Sequence, residues 1–177
     1  MTISLNSFIQ NLSNVTKPNR FLVVVDPPSD AIETSISSDI MQFYAQSAVI
    51  PDRTFGEIEL KYYGMTLKLP GNESISDLTI TFINDEEWRV RDFFEAWGNA
   101  IHDREDSSKG YMQNLFNGAS IIVHQLDGYG NIIATYQFYN VFPKVVSEME
   151  LNMETNDSFS TFQVTFDYSH FGNMEIE

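Results

Sequence analysis

The chain has 177 residues and a mass of 20.3 kDa, a length suited to one domain that buries roughly two-thirds of its unfolded surface. Its 25 Asp and Glu against 10 Lys and Arg leave a formal charge of -15 and a pI near 4.3, the wrong sign for a protein that grips nucleic acid through phosphates. With 14 Phe, 8 Tyr and 2 Trp it is too aromatic for an acidic disordered tail, and the absence of cysteine excludes a disulfide framework, a thiolate metal site and a Cys nucleophile.

The first twenty residues lack a basic region followed by an unbroken apolar run, and no stretch of about 18 apolar residues occurs, so a soluble chain that is not classically secreted is expected. Leu5, Phe8, Ile9 and Leu12 fall at helical spacing behind Ser4, which predicts a short helix or arm over 1–17 that stops at Pro18. RFLVVV from Arg20 reads as a strand buried on both faces and ended by Pro27 and Pro28. Ser29 to Asp39 is polar and loop-like, and MQFYAQSAVIP predicts a second strand closing at Pro51. Over 57–69, Ile58, Leu60 and Tyr62 alternate with Glu57, Glu59 and Lys61, predicting two antiparallel strands bent at Gly64, followed by a turn at Pro70-Gly71-Asn72. Leu78, Ile80 and Phe82 then alternate with Thr79 and Thr81 as a further strand.

The period next lengthens from two to about 3.6. Asn84 and Glu87 have capping-box spacing, and Val90, Phe93, Phe94, Trp97 and Ile101 form one stripe on a helix predicted from Asp85 to Ile101. Trp88 lies off that stripe. After a polar loop over 102–110, SIIVHQL, the Asp127–Asn131 turn and IIATYQFYNVFP predict a hairpin that ends at Pro143. VSEMELNME and TFQVTFDYSHF alternate as two more strands. About nine strands and one helix predict a mainly β fold, an antiparallel barrel or two-sheet sandwich with a flanking helix, in one domain spanning 1–177.

Specific chemistry is hard to find in these residues. His102, His124 and His170 lie in different elements without metal-ligand spacing, so no metal and no cofactor are expected. No phosphate-binding glycine loop or nucleophile elbow appears, and the pairs Glu57 with Glu59 and Glu148 with Glu150 read as solvated strand faces before they read as glycosidase carboxylates. No enzyme is therefore predicted, with a carboxylate glycosidase or a ligand-binding barrel as the remote alternatives. One charge feature stands out: beyond Lys144 there is no Lys or Arg, while Glu148, Glu150, Glu154, Asp157, Asp167, Glu175 and Glu177 accumulate.

Several segments, taken in order, resemble the tail tube proteins of contractile-tailed bacteriophages. They are Pro18-Asn19-Arg20-Phe21, AQSAVIP over 45–51, the hairpin through Tyr63-Gly64, DLTITFINDEEWRVRDFFEAW over 77–97, Tyr139-Asn140-Val141-Phe142-Pro143 and the closing TFQVTFDYSHF. The Ser29–Asp39 loop and the tail over 172–177 look like additions to that pattern. The resemblance implies a two-sheet barrel shared with the tubes of type VI secretion and related injection machines. It implies hexameric rings stacked into a hollow tube in the virion tail, assembled in host cytoplasm, with sheath, baseplate and terminator proteins as partners and no membrane. DNA would pass through the lumen without specific binding. Pro51, Arg53, Phe55, Tyr62 and Tyr63 are expected to reach the next ring, Trp88, Arg89 and Arg91 to form the outer face of the helix, and Glu148, Glu150 and Glu154 to face the lumen, where like charge keeps DNA from adhering. A baseplate tube-initiator, or the tube of a phage-derived injection particle, is the nearest alternative.

Overall fold

Alternating β-branched and aromatic residues form ten strands, all paired antiparallel, in the computed structural model, which describes residues 15–28, 36–102, 118–154 and 158–174. The strands are β1 (Phe21–Asp26), β2 (Ala45–Val49), β3 (Arg53–Tyr62), β4 (Met65–Ile75), β5 (Leu78–Ile83), β6 (Ser120–Leu126), β7 (Ile132–Tyr139), β8 (Phe142–Val146), β9 (Thr161–Asp167) and β10 (His170–Met174). Among the described residues two α-helices accompany them, the single turn α1 (Ser38–Met41) and the longer α2 (Arg89–Ile101). One sheet has the order β1-β6-β7-β10 and the other β2-β5-β9-β8, while among the described residues β3 and β4 pair only with each other.

The two larger sheets enclose the core. Leu78, Ile80 and Phe82 lie directly opposite Phe166, Val164 and Phe162, and all six are buried. In the first sheet Val23 and Val25 face Val123 and Ile121 across the β1–β6 ladder, again buried. The stripe of α2 closes the core, with Val90, Phe93, Phe94 and Trp97 buried. The Phe94 ring lies 4.9 Å from Phe82, 6.1 Å from Phe162 and 5.8 Å from Phe166, centroid to centroid, at the separations aromatic pairs favour.

The mainly β class with one flanking helix matches the sequence reading, and several local expectations do not. β1 alternates rather than being buried on both faces, because Leu22 and Val24 point away from the core that holds Val23 and Val25. The expected strand from Met41 begins only at Ala45: Met41 closes α1, fully buried, and Gln42–Tyr44 form a 3-10 turn. Helix α2 starts at Arg89 rather than Asp85. The Asn84 Oδ1 is buried without a hydrogen-bond partner, and the capping acceptor is Asp85, whose Oδ1 takes the Val90 N–H at 3.3 Å. Pro143 lies inside β8, not at the end of β7, since left-handed Asn140 (φ 53°) turns the chain from one sheet to the other. No strand forms over 147–154: the Gln163 N–H, which a further rung would use, bonds the Ser147 Oγ at 2.8 Å instead. The closing segment splits into β9 and β10, which belong to different sheets. Most of the arm expected over 1–17, most of the 29–39 loop, the loop after His102 and the end of the C-terminal tail lie outside the described residues.

Candidate assembly site

The ribbon β3–β4 is an arm. Strands of ten and eleven residues extend about 33 Å at the usual rise, and every residue from Arg53 to Ile75 except Gly71 is exposed. Register places Ile58 opposite Leu69, Leu60 opposite Leu67 and Tyr62 opposite Met65, so six apolar side chains form one face, with Glu57, Glu59, Lys61, Thr66 and Lys68 on the other. The three cross-strand pairs are 39 to 73% exposed. Two strands alone are marginal in water, and a contiguous apolar face of this kind marks a surface that another element covers.

Local chemistry shapes the arm at both ends. Its tip is a two-residue turn with Tyr63 at φ 47° and Gly64 at φ 79°, the doubly left-handed geometry that matches strand twist. Lower down, Gly56 and Gly71 meet at a bulge, where a Cβ on Gly71 would come within 3.0 Å of the Gly56 carbonyl. The expected turn at Pro70-Gly71-Asn72 is thus a stretch of β4, tolerated because both strands of a ribbon are edges. The base is tied to the body. Tyr168 donates from Oη to the Ser76 carbonyl at 2.7 Å, Arg53 stacks over the Phe171 ring at 4.8 Å and pairs with Glu73 at 3.2 Å, and the Ser76 hydroxyl donates to Asp52. Burial, together with the nearby carboxylates of Asp77, Asp167 and Asp52, pushes the Tyr168 phenol up to about 12.

Charge separates the arm from the rest of the chain. Arg53, Lys61 and Lys68 balance Glu57, Glu59 and Glu73, so the arm is formally neutral and the whole -15 belongs to the remainder. Of the residues expected to contact a neighbour, Arg53, Phe55, Tyr62 and Tyr63 are exposed on it, with Tyr63 at 90%, while Pro51 is buried at its root. Met65, Leu67 and Leu69 were not singled out from the sequence, although their alternation with Thr66 and Lys68 carries the signal.

On the helix flank, Trp88 is 41% exposed and holds a left-handed backbone (φ 60°) at the N-cap of α2. Arg89 and Arg91 are committed within the chain. Arg89 pairs with Asp85 at 2.8 Å, and Arg91 pairs with Glu95 at 2.8 Å, donates to the Ser147 carbonyl and lies 5.5 Å over the Phe162 ring. Burial works against the charged Asp85 carboxylate, but the Arg89 and Val90 hydrogen bonds outweigh it and hold the carboxyl below its usual range. Glu148, Glu150 and Glu154 are exposed on the irregular segment after β8. There Leu151 and Met153, with Phe159 just before β9, are 76, 98 and 79% exposed and border a cleft of about 520 Å³ that Glu150 also lines.

The histidines stay apart. His102 caps the C-terminus of α2, His124 bonds Thr135 through Nδ1 at 2.9 Å with its pKa lowered by burial, and His170 stacks on Tyr139. Among the described residues no three His, Asp or Glu side chains converge as metal ligands, and no helix is long and apolar enough to cross a membrane.

Known proteins share this sequence pattern and fold. The family model described as phage tail tube protein matches residues 16–174. The tail tube protein of Serratia phage KSP90 is 25% identical over 154 residues, covering 87% of this chain and 86% of that protein. Tail tube protein gp19 of Enterobacteria phage T4 is 19% identical over 134 residues, covering 76% and 82%. The fold is similar to a chain from the sheath-tube complex of the extracellular contractile injection system PVC in the extended state, with TM-score 0.62, 16% identity and coverage of 99% and 100%. It is also similar to a chain from the tube-terminating cap of the anti-feeding prophage, with TM-score 0.64, 15% identity and coverage of 99% and 95%. An exposed neutral arm on an acidic two-sheet body thus coincides with a family match over nearly the whole chain, and the chain belongs to the phage tail tube protein family.

Proposed function

We propose that this chain builds the inner tube of a contractile tail by closing into hexameric rings that stack, and that the tube conducts DNA during ejection. The observation that carries the reading is the β3–β4 arm: a neutral ribbon with an uncovered apolar face, attached to a strongly acidic body. Like-charged bodies repel, and an uncharged projection is the surface that can reach a second copy with the least electrostatic cost. The strand edges of both four-stranded sheets fit this, since pairing edges around a ring protects them from unspecific association. In the ring, Arg53, Phe55, Tyr62 and Tyr63 contact the neighbouring ring, and buried Pro51 sets the angle at which the arm leaves the body.

Trp88 faces the sheath on this reading, with Arg89 and Arg91 holding the turn and helix beneath it. The kinship to tail tube proteins and the fold shared with chains of sheath-tube, baseplate and cap assemblies support sheath, baseplate and terminator proteins as partners. The negative surplus serves the conduit, because a wall without basic clusters releases no counterions from passing phosphates and so does not hold them. Native mass spectrometry of the purified protein tests the ring: a species of six copies supports it, and a monomer at every concentration and salt refutes it.

A further inference from the structure

The arm needs a receptor, and the same chain carries one with complementary chemistry. We infer that the arm tip of one copy, Lys61 to Met65, docks in the cleft between residues 150–153 and 158–161 of a second copy. This rests on the assembly reading above and names the surface that the arm engages.

Between 60 and 69 the arm has two charges, both positive, on Lys61 and Lys68. Lys68 is used within the ribbon, 2.6 Å from Glu57, whereas Lys61 makes no ion pair among the described residues. Tyr63 is the second sign. A bulky residue in left-handed backbone costs roughly 1–2 kcal/mol, and Asn or Gly would fill this turn position more cheaply. The tyrosine nonetheless stands there 90% exposed, its ring edge-on to Tyr62 at 4.7 Å. A rigid aromatic pair presented at a tip fits the anchor residues of protein interfaces.

The proposed receptor inverts these properties. It is acidic, with Glu150 in its lining, Glu154 next in the chain after that wall and no basic residue anywhere beyond Lys144, and apolar, with Leu151, Met153 and Phe159 at the cleft. Tip and receptor are both largely exposed, so neither covers the other within one copy. Phe43 and Val49 are exposed too, but the stretch 40–51 has no acidic residue to meet Lys61. A plug and a socket on different parts of one chain make a heterologous contact, which propagates from copy to copy instead of closing as a two-fold pair. Glu150 and Glu154 then belong to a contact between copies instead of to the lumen.

The cysteine-free chain gives a direct test. Tyr63→Cys and Met153→Cys, made as separate full-length proteins at almost fully exposed positions, are mixed, assembled and oxidised. The expected product is a disulfide joining residue 63 of one copy to residue 153 of another, absent when Val145→Cys replaces Met153→Cys. Independently, Lys61→Glu should raise the concentration needed for assembly about tenfold, and Glu150→Lys with Glu154→Lys in the same chain should restore it. Assemblies that form without the 63–153 disulfide, or charge reversals that add instead of compensating, overturn the inference and leave the tube reading intact. A wild-type protein that never assembles overturns both.

Discussion

Replacing Leu60 and Leu67 together by Thr separates the role of the arm from the stability of the body. The two side chains face each other across the ribbon, 49% and 57% exposed, so each has about half its surface still to bury. Full burial of a leucine contributes about 1.5–3 kcal/mol, which leaves roughly 1 kcal/mol per residue for an intermolecular contact and roughly 2 kcal/mol for the pair. That corresponds to an association constant lowered about 30-fold at each arm contact. Threonine keeps the preference for an extended backbone, so the ribbon itself should persist. The concentration above which protein sediments as assembled material should therefore rise by about that factor, while thermal unfolding of dispersed protein stays unchanged, because neither leucine touches the core. A double variant that assembles at the wild-type concentration but unfolds several degrees earlier would show the opposite, an apolar face that packs within its own chain.

Other consequences concern the body and the root of the arm. Phe94→Ala removes the ring at the centre of the aromatic cluster and should destabilise the monomer by about 3–5 kcal/mol, read from urea midpoints. Asp85→Ala should cost about 1 kcal/mol through the lost cap at α2. Because the folded Asp85 carboxyl titrates below its ordinary 3.8, its charged contribution is complete at neutral pH, persists above about pH 4 and is lost as pH falls through the lowered value. Asp85→Asn should accordingly lose stability at pH 7, and the deficit should vanish in acid unfolding titrations. Gly71→Ala forces the Gly56 backbone to move, so protease cleavage within 53–75 should accelerate with the body's thermal midpoint unchanged, whereas Gly128→Ala, with open space around it, should do nothing.

The periodic parts of the molecule were legible because each residue had one consistent environment. Leu78, Ile80 and Phe82 alternate against a single core face, and Val90, Phe93, Phe94 and Trp97 follow one helical stripe, so pattern and packing agree. Alternation misled over 147–154, where Met149 packs against the core but Leu151 and Met153 do not, since a strand also needs a ladder partner and β9 offers none beyond Ser147. Sequence alone sets the helix start too early because Asp85 and Asn84 are both cap formers, and the choice between them depends on Arg89 and on the left-handed turn at Trp88. The arm is legible as a hairpin but not as an arm: the sequence shows that Ile58, Leu60 and Tyr62 share a face, and only the sheet order and exposure show that no described residue covers it.

Electron microscopy of the purified protein, concentrated at moderate salt, shows whether the chain assembles into a tube. Hollow tubes of constant diameter are expected, built from stacked rings, with an arm from each copy lying on the next. Dispersed monomers at every concentration and ionic strength would contradict tube assembly.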